Sequence, residues 1–342
     1  MSDAASALLW SGACVVAFLI IWKASEWAVE SVLDLGKHFN INQFFIGTVV
    51  LGVIVVFPEI VILSLLSLQA ADDPNKAAMI FPTVLGSTIY DMTLALGVAA
   101  LLAKDKSIKI SKDLERGDLG LLLTIMAIPL ISILTDGLNR LEGVLLVACG
   151  FLYLWSKYLD KEVLEEVEEH TKWEKPVATA IFAISMVLMI VTGHIFVEGI
   201  EHIIDFIVEE YGYNEEEVTL FVAMAVLGLA SSIPEHIGIM LASRDGHYDL
   251  VIGNLLGSGL LNISLALGIA IIIHPIELSP FLLGASFILA FVTFLFAELI
   301  RDQEISKIEG ILLILICPLL MWAALEAPDA LHHVIQLLEA GE

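Results

Sequence analysis

The residues with chemical potential in this chain lie inside apolar stretches, and their spacing repeats. Phe57-Pro58-Glu59 is followed by Leu85-Gly86-Ser87-Thr88-Ile89-Tyr90-Asp91-Met92-Thr93-Leu94-Ala95-Leu96-Gly97. Ile233-Pro234-Glu235 is followed by Leu256-Gly257-Ser258-Gly259-Leu260-Leu261-Asn262-Ile263-Ser264-Leu265-Ala266-Leu267-Gly268. In both copies Ser follows Gly, an acid or amide stands four residues after that Ser, and Leu-Ala-Leu-Gly comes next. A carboxylate at hydrocarbon depth costs at least ~2.5–3.5 kcal/mol, so such a group faces a pathway or a partner. Each Glu follows a proline, which lacks an N–H and leaves the carbonyl four residues earlier, of Ile54 or of Ala230, without its helical bond. Carboxylate and freed carbonyl together form a hard-oxygen site, suited to Ca²⁺ or Na⁺ rather than to soft metals. Ser87 and Asp91 share one helix face, as do Ser258 and Asn262, and Gly86 and Gly257 allow the close helix approach that would bring those faces against the glutamates. Glu59, Asp91 and Glu235 cannot all ionise in so tight a cluster. With one proton retained, on Asp91, the site carries two negative charges and matches a single Ca²⁺. An empty site would resist changing its accessible side, which is the physical basis of obligatory exchange.

The elements that must position these groups are membrane spans. The chain has 342 residues, 58% hydrophobic and 17% charged, against ~25% charged in an ordinary soluble domain. The apolar residues form long continuous blocks rather than the alternation of a barrel strand, so the fold is expected to be all-α integral membrane. On a ruler of ~20 apolar residues per crossing ten spans are predicted: Ala7–Trp22, Phe44–Leu68, Ala77–Leu102, Leu119–Thr135, Leu141–Tyr158, Pro176–Ile207, Val218–Ala242, Tyr248–Ile273, Pro280–Leu299 and Ile308–Leu325. Helices two, three, seven and eight are expected to be broken. With the N-terminus outside, fourteen of the 16 Lys and Arg residues fall in inner links and only Lys76 and Arg140 in outer ones, as the positive-inside rule requires. Both termini are then extracellular, in a multi-pass protein of the cell membrane. The first block, with an acid before it and no small-residue cleavage pattern, reads as a retained span. The acidic stretch 159–175 divides the chain into a first five-helix repeat, 1–158, and a second, 176–342, ending in an extracellular tail. It reads as a solvated cytoplasmic connector, with a regulatory cation site as the alternative. The motifs fall in spans two and three, then seven and eight. Five spans apart is an odd number, so the copies enter the membrane from opposite sides, as inverted transporter repeats do around a midplane site.

Composition excludes other classes. A net charge of −25 argues against nucleic acid and for cations. Cys14, Cys149 and Cys317 lie in apolar blocks and imply no disulfide framework or thiolate metal site. An intramembrane enzyme would need a nucleophile–base pair or a His-Glu-x-x-His motif, and Glu235-His236 is not one. A passive cation channel is the remaining alternative, but paired proline-interrupted helices favour a carrier. No covalent cofactor is expected, and function as a monomer is. The acids Glu198, Glu201, Asp205, Glu209, Glu210 and Glu215–Glu217 read as a solvated outer surface, with an electrostatic funnel for cations as the alternative. His194 and His202 read as packing or surface residues, with pH sensing as the alternative.

The motifs over nearly the whole chain resemble the cation/Ca²⁺ exchanger superfamily, especially the sodium/calcium exchanger branch of archaea and bacteria. The resemblance implies ten spans in two inverted halves. It implies ion ligands at Glu59, Ser87, Asp91, Glu235, Ser258 and Asn262, Ca²⁺ at the centre with Na⁺ around it, and gating by sliding of spans one and six. Three departures stand out. Ile54, Val55 and Val56 replace the hydroxyl-bearing residues usual before the first Pro-Glu, whereas Ser231 and Ser232 keep them in the second copy. Asp91 and Asn262 exchange the acid and amide of the archaeal pattern, which moves any proton to the other half. His236 directly after Glu235 resembles the Glu-His pair of the H⁺/Ca²⁺ branch, which makes H⁺, in place of Na⁺, the alternative counter-ion.

Overall fold

The computed structural model describes residues 3–38, 53, 56–110, 120, 122–123, 127, 129–130, 134–159 and 172–339. The chain is an all-α membrane protein of about ten helices, and seven of those described are long and apolar enough to cross a membrane. In chain order the described spans are span one (Asp3–His38), span two (Phe57–Gln69), span three (Pro74–Leu102), span five (Arg140–Leu159), span six (Lys175–Tyr211), span seven (Glu215–Val222, Ala223–Leu227 and Gly228–Asp245), span eight (Tyr248–Ile273), span nine (Pro280–Arg301) and span ten (Lys307–Glu339). Residues 44–52 of the expected second span, most of the expected fourth span and residues 160–171 of the connector lie outside the described residues.

Local sequence sets where these helices start and stop. Asp73 caps span three by accepting the Asn75 N–H at 3.0 Å, with Pro74 in the first turn. Asn214 caps span seven through the N–H groups of Glu216 and Glu217, and Ser279 caps span nine through that of Leu282. Each side chain satisfies donors that a helix start leaves open. Gly212 and Gly246 end spans six and seven at φ 67° and 89°, left-handed conformations that cost glycine little.

Two expectations need correction. Spans three, seven and eight are not broken: each runs through without a gap but carries a π-helical turn, at Tyr90–Ala95, Ala223–Leu227 and Asn262–Leu267. A π turn widens the backbone locally and is common at functional sites, and in each span the helix continues on both sides of it. Span one extends well past the predicted Trp22, because charged residues carry the helix on beyond its apolar block. Lys23 pairs with Glu26, and Glu30 meets Lys172 at 2.7 Å. Buried Asp34 accepts the N–H groups of Lys172 and Trp173 at 3.0 and 2.8 Å. These bonds fasten the end of span one to the start of span six, and the two helices pack along each other.

The rest of the bundle is built twice. A backbone crossing brings span three onto span ten at Gly97 and Gly310, where a Cβ on Gly310 would stand 2.8 Å from the Gly97 carbonyl oxygen. The same crossing brings span eight onto span five at Gly268 and Gly143, with the corresponding distance 3.1 Å. Four short strands, β1 (Ser107–Lys109), β2 (Gly137–Leu138), β3 (Ile276–Glu277) and β4 (Glu304–Ser306), pair antiparallel as β1 with β4 and β2 with β3. The pairings are related by the same exchange of halves. They put the links after spans three and nine at one end of the bundle, and those after spans four and eight at the other. A further sequence repeat marks the symmetry: Arg140-Leu141-Glu142-Gly143 and Lys307-Ile308-Glu309-Gly310. In each, the Glu reaches back to the N–H three residues earlier, at 3.1 Å for Asn139 and 2.7 Å for Ser306, the second half of a capping box.

Candidate functional site: buried acids between two π-turned helices

Spans two, three, seven and eight meet at the centre of the bundle. Glu59 lies in the first turn of the helix that Pro58 opens, and only 1% of it is exposed. Glu235 is 4% exposed, in the second half of span seven. Neither faces lipid. Asp91 lies within the π turn of span three and Asn262 opens that of span eight, both fully buried. The two π turns thus present the acid and the amide at matching places in the two halves.

The hydrogen bonds join the halves. The Ser231 hydroxyl lies 3.3 Å from Glu59 Oε1 and 3.1 Å from the Gly228 carbonyl, and Ser232 donates to the same carbonyl at 3.3 Å. Ser87 is also within hydrogen-bonding reach of Glu59. Glu235 lies in the electrostatic field of both Asp91 and Glu59. His236 Nε2 is 2.6 Å from Asp91 Oδ1, both side chains being almost wholly buried. At that separation two lone pairs would repel, so one proton lies between ring and carboxylate.

What remains unpaired defines the chemistry. Glu59 Oε2, Asp91 Oδ2, Glu235 Oε2 and both amide atoms of Asn262 are buried and have no hydrogen-bond partner among the described residues. Unpaired buried polar atoms are costly, and carboxylate and amide oxygens are the donor type that hard cations take. Among the described residues no three His, Cys, Asp or Glu side chains converge closely enough to hold an ion by themselves. An ion here would take its shell from carboxylate, amide, hydroxyl and backbone oxygens together. Half-buried Ala230 lies one turn before Pro234, so its carbonyl has no N–H donor from residue 234; Ile54 lies outside the described residues. Ser258 is buried on the same span-eight face as Asn262, its hydroxyl donating to Leu255 O at 3.4 Å.

Sequence spacing alone did not single out the pairing of His236 with Asp91, nor Ser264. The Ser264 hydroxyl is buried without a hydrogen-bond partner among the described residues, on the span-eight π turn against Gly150 of span five. Its signal was available, since Ser264 and Thr93 occupy the same place in the repeated motif.

The sodium/calcium exchanger protein family model matches residues 10–159 and 177–325. The chain belongs to that family, and the two matched stretches are its two repeats. It is 24% identical to the inner membrane protein YrbG of Escherichia coli over 93% of this chain and 97% of the relative. Its fold is that of the H⁺/Ca²⁺ exchanger CAX, with a TM-score of 0.75 at 16% identity over 100% of this chain and 89% of the other. The sodium-calcium exchanger NCX_Mj has the same fold, with a TM-score of 0.63 at 20% identity over 92% and 97%. The chain is therefore a secondary transporter of the cation/Ca²⁺ exchanger family and not an enzyme.

Proposed function

We propose that this protein is an antiporter that exchanges Ca²⁺ for Na⁺ across the cell membrane by alternating access. Glu59, Asp91, Glu235 and Asn262 are the principal ligands, and Ser87, Ser231, Ser232, Ser258 and the carbonyls of Ile54 and Ala230 complete the shell. The observation that carries this reading is the set of four unpaired buried oxygens from both halves of the chain. Ca²⁺ takes six to eight oxygens at ~2.3–2.6 Å and accepts a mixed, irregular shell, whereas Mg²⁺ demands a near-octahedral one.

When the Asp91–His236 pair carries one proton beyond the ring's own, it is neutral, and the carboxylates of Glu59 and Glu235 balance a divalent ion. Na⁺ ions then neutralise the same oxygens on the return. Repeats 1–158 and 176–342, joined by the acidic connector 159–175, rock about this site, with both termini outside the cytoplasm and a single chain as the working unit. A second reading, H⁺ as counter-ion, is favoured by one observation: His236 stands against Asp91 where a cation could otherwise bind.

The test is Ca²⁺ uptake into proteoliposomes with Na⁺ and pH gradients imposed separately. Uptake should follow an opposing Na⁺ gradient at fixed pH, and uptake driven by pH alone would replace Na⁺ by H⁺. Glu59→Gln and Glu235→Gln should each abolish it. Robust transport by either variant would remove the proposed site.

A further inference from the structure

The face of span eight that carries Ser258 and Asn262 continues one turn outward to Asn254, because residues 254, 258 and 262 are successive i, i+4 neighbours. The repeat places the same stripe on span three as Thr83, Ser87 and Asp91. The two stripes run from opposite membrane faces to the same buried acids, and the structure treats them differently.

The span-three stripe is sealed. Pro82, Thr83, Gly86, Ser87 and Asp91 are all buried, and the Thr83 hydroxyl is turned back onto the Met79 carbonyl at 2.7 Å. The backbone of span seven lies directly on this face. A Cβ on Gly86 would collide with the Met224 carbonyl of the π turn, and one on Gly228 would stand 2.7 Å from Ser87 N. No cation fits between two backbones in contact.

The span-eight stripe opens outward by degrees. Asn262 is fully buried, Ser258 is 4% exposed, Gly257 and Asn254 are half-buried and Gly253 is exposed. A Cβ on Gly253, or on Gly238 of span seven, would meet nothing within 4 Å, so there is open space beside each of these glycines. From Asn254 to Asn262 is eight residues, ~12 Å of helix in two equal steps of ~6 Å. Such spacing lets a cation exchange water for protein oxygens one at a time rather than shed its shell at once.

We infer that Asn254 is the first protein ligand on a cation path that runs by Ser258 to Asn262, open in this structure at the Arg244 end of the bundle while the mirrored path through Thr83 is shut. The inference rests on the proposed cation site for what travels the path, but the opening itself can be tested without transport.

The test places single cysteines at N254C and T83C in a chain whose own Cys14, Cys149 and Cys317 are replaced by alanine. A charged, membrane-impermeant thiol reagent is applied to each side of the reconstituted membrane. K104C marks the Arg244 side, because the Lys104 N–H bonds the Ser243 carbonyl at 3.3 Å. N254C should react only from the side that labels K104C, and T83C from neither. Reaction of T83C as fast as that of N254C would overturn the inference, as would an N254C that reacts only with a lipid-soluble reagent. Asn254→Leu should raise the half-saturating Ca²⁺ concentration on that side about tenfold, the worth of one lost oxygen contact, with the opposite side unchanged. Asn254→Ser, which restores an oxygen, should recover most of it. An equal change on both sides would also overturn the path. If labelling follows the expected pattern while Glu59→Gln still transports Ca²⁺, the path stands and the proposed site falls.

Discussion

Asp91 and Asn262 occupy the same place in two oppositely threaded halves, on π turns of matching helices, and share nothing else. Asp91 is held by His236 at 2.6 Å, on a helix whose outward face is closed by the backbone of span seven. Asn262 has no partner for either amide atom among the described residues, on a helix whose face opens towards one end. The scaffold is symmetric and the chemistry is not. A transporter needs the symmetry so that its two access states can be near equal in energy. The asymmetry separates an acid with a side-chain partner from an amide with none among the described residues.

Six substitutions would break or sharpen that contrast. The largest effect is expected at His236→Leu, which leaves the Asp91 carboxylate buried without a partner. Losing one member of a buried pair costs about 3–5 kcal/mol, to be read as thermal unfolding of the purified protein. Asn262→Leu should cost little stability while removing Ca²⁺ uptake, and equal destabilisation at both positions would erase the distinction drawn here.

Next in size is the pair Gly86→Ala and Gly253→Ala. The first forces a Cβ onto the Met224 backbone and should destabilise by about 1–3 kcal/mol, the range of an overpacked core. The second enters open space in a helix and should be neutral or stabilising by about 0.5–1 kcal/mol.

Asp91→Asn makes the two halves chemically alike. Cation binding should survive with an altered pH dependence of uptake, and an unchanged pH profile would remove Asp91 from any role in holding a proton. The smallest effect is expected at Lys76→Gln. Lys76 reaches Glu201 of span six at 3.1 Å and Asp73 at 3.9 Å, a partly exposed cluster in which a pair is worth about 0.2–1 kcal/mol and is weakened by salt. A loss that persists in high salt would show that this contact does more than tie two surface residues.

Much of this was legible in the chain before any fold was known. The apolar blocks marked the spans, because each crossing needs a fixed length of hydrocarbon-compatible side chains. They misjudged span one, since hydropathy reads solubility in lipid and cannot see a helix continued by Lys23, Glu26 and Glu30. Pro-Glu and the Gly-Ser repeats marked the candidate ligands, because a carboxylate at that depth is too costly to be incidental. The motifs suggested broken helices, whereas spans three, seven and eight run on through π turns. Those turns lie away from the prolines, and span eight has no proline, so the prolines do not mark where the helices rewind.

The sequence by itself determined that two related halves thread the membrane in opposite senses and bring acids into its middle, because span count and desolvation cost are properties of local composition. Only the tertiary structure decided that His236 meets Asp91 across 145 residues of chain, and that the span-seven backbone lies on Gly86 and Ser87 while Asn254 is half-buried. Those outcomes depend on how helices pack against one another, and nothing in the spacing along a single helix carries that information.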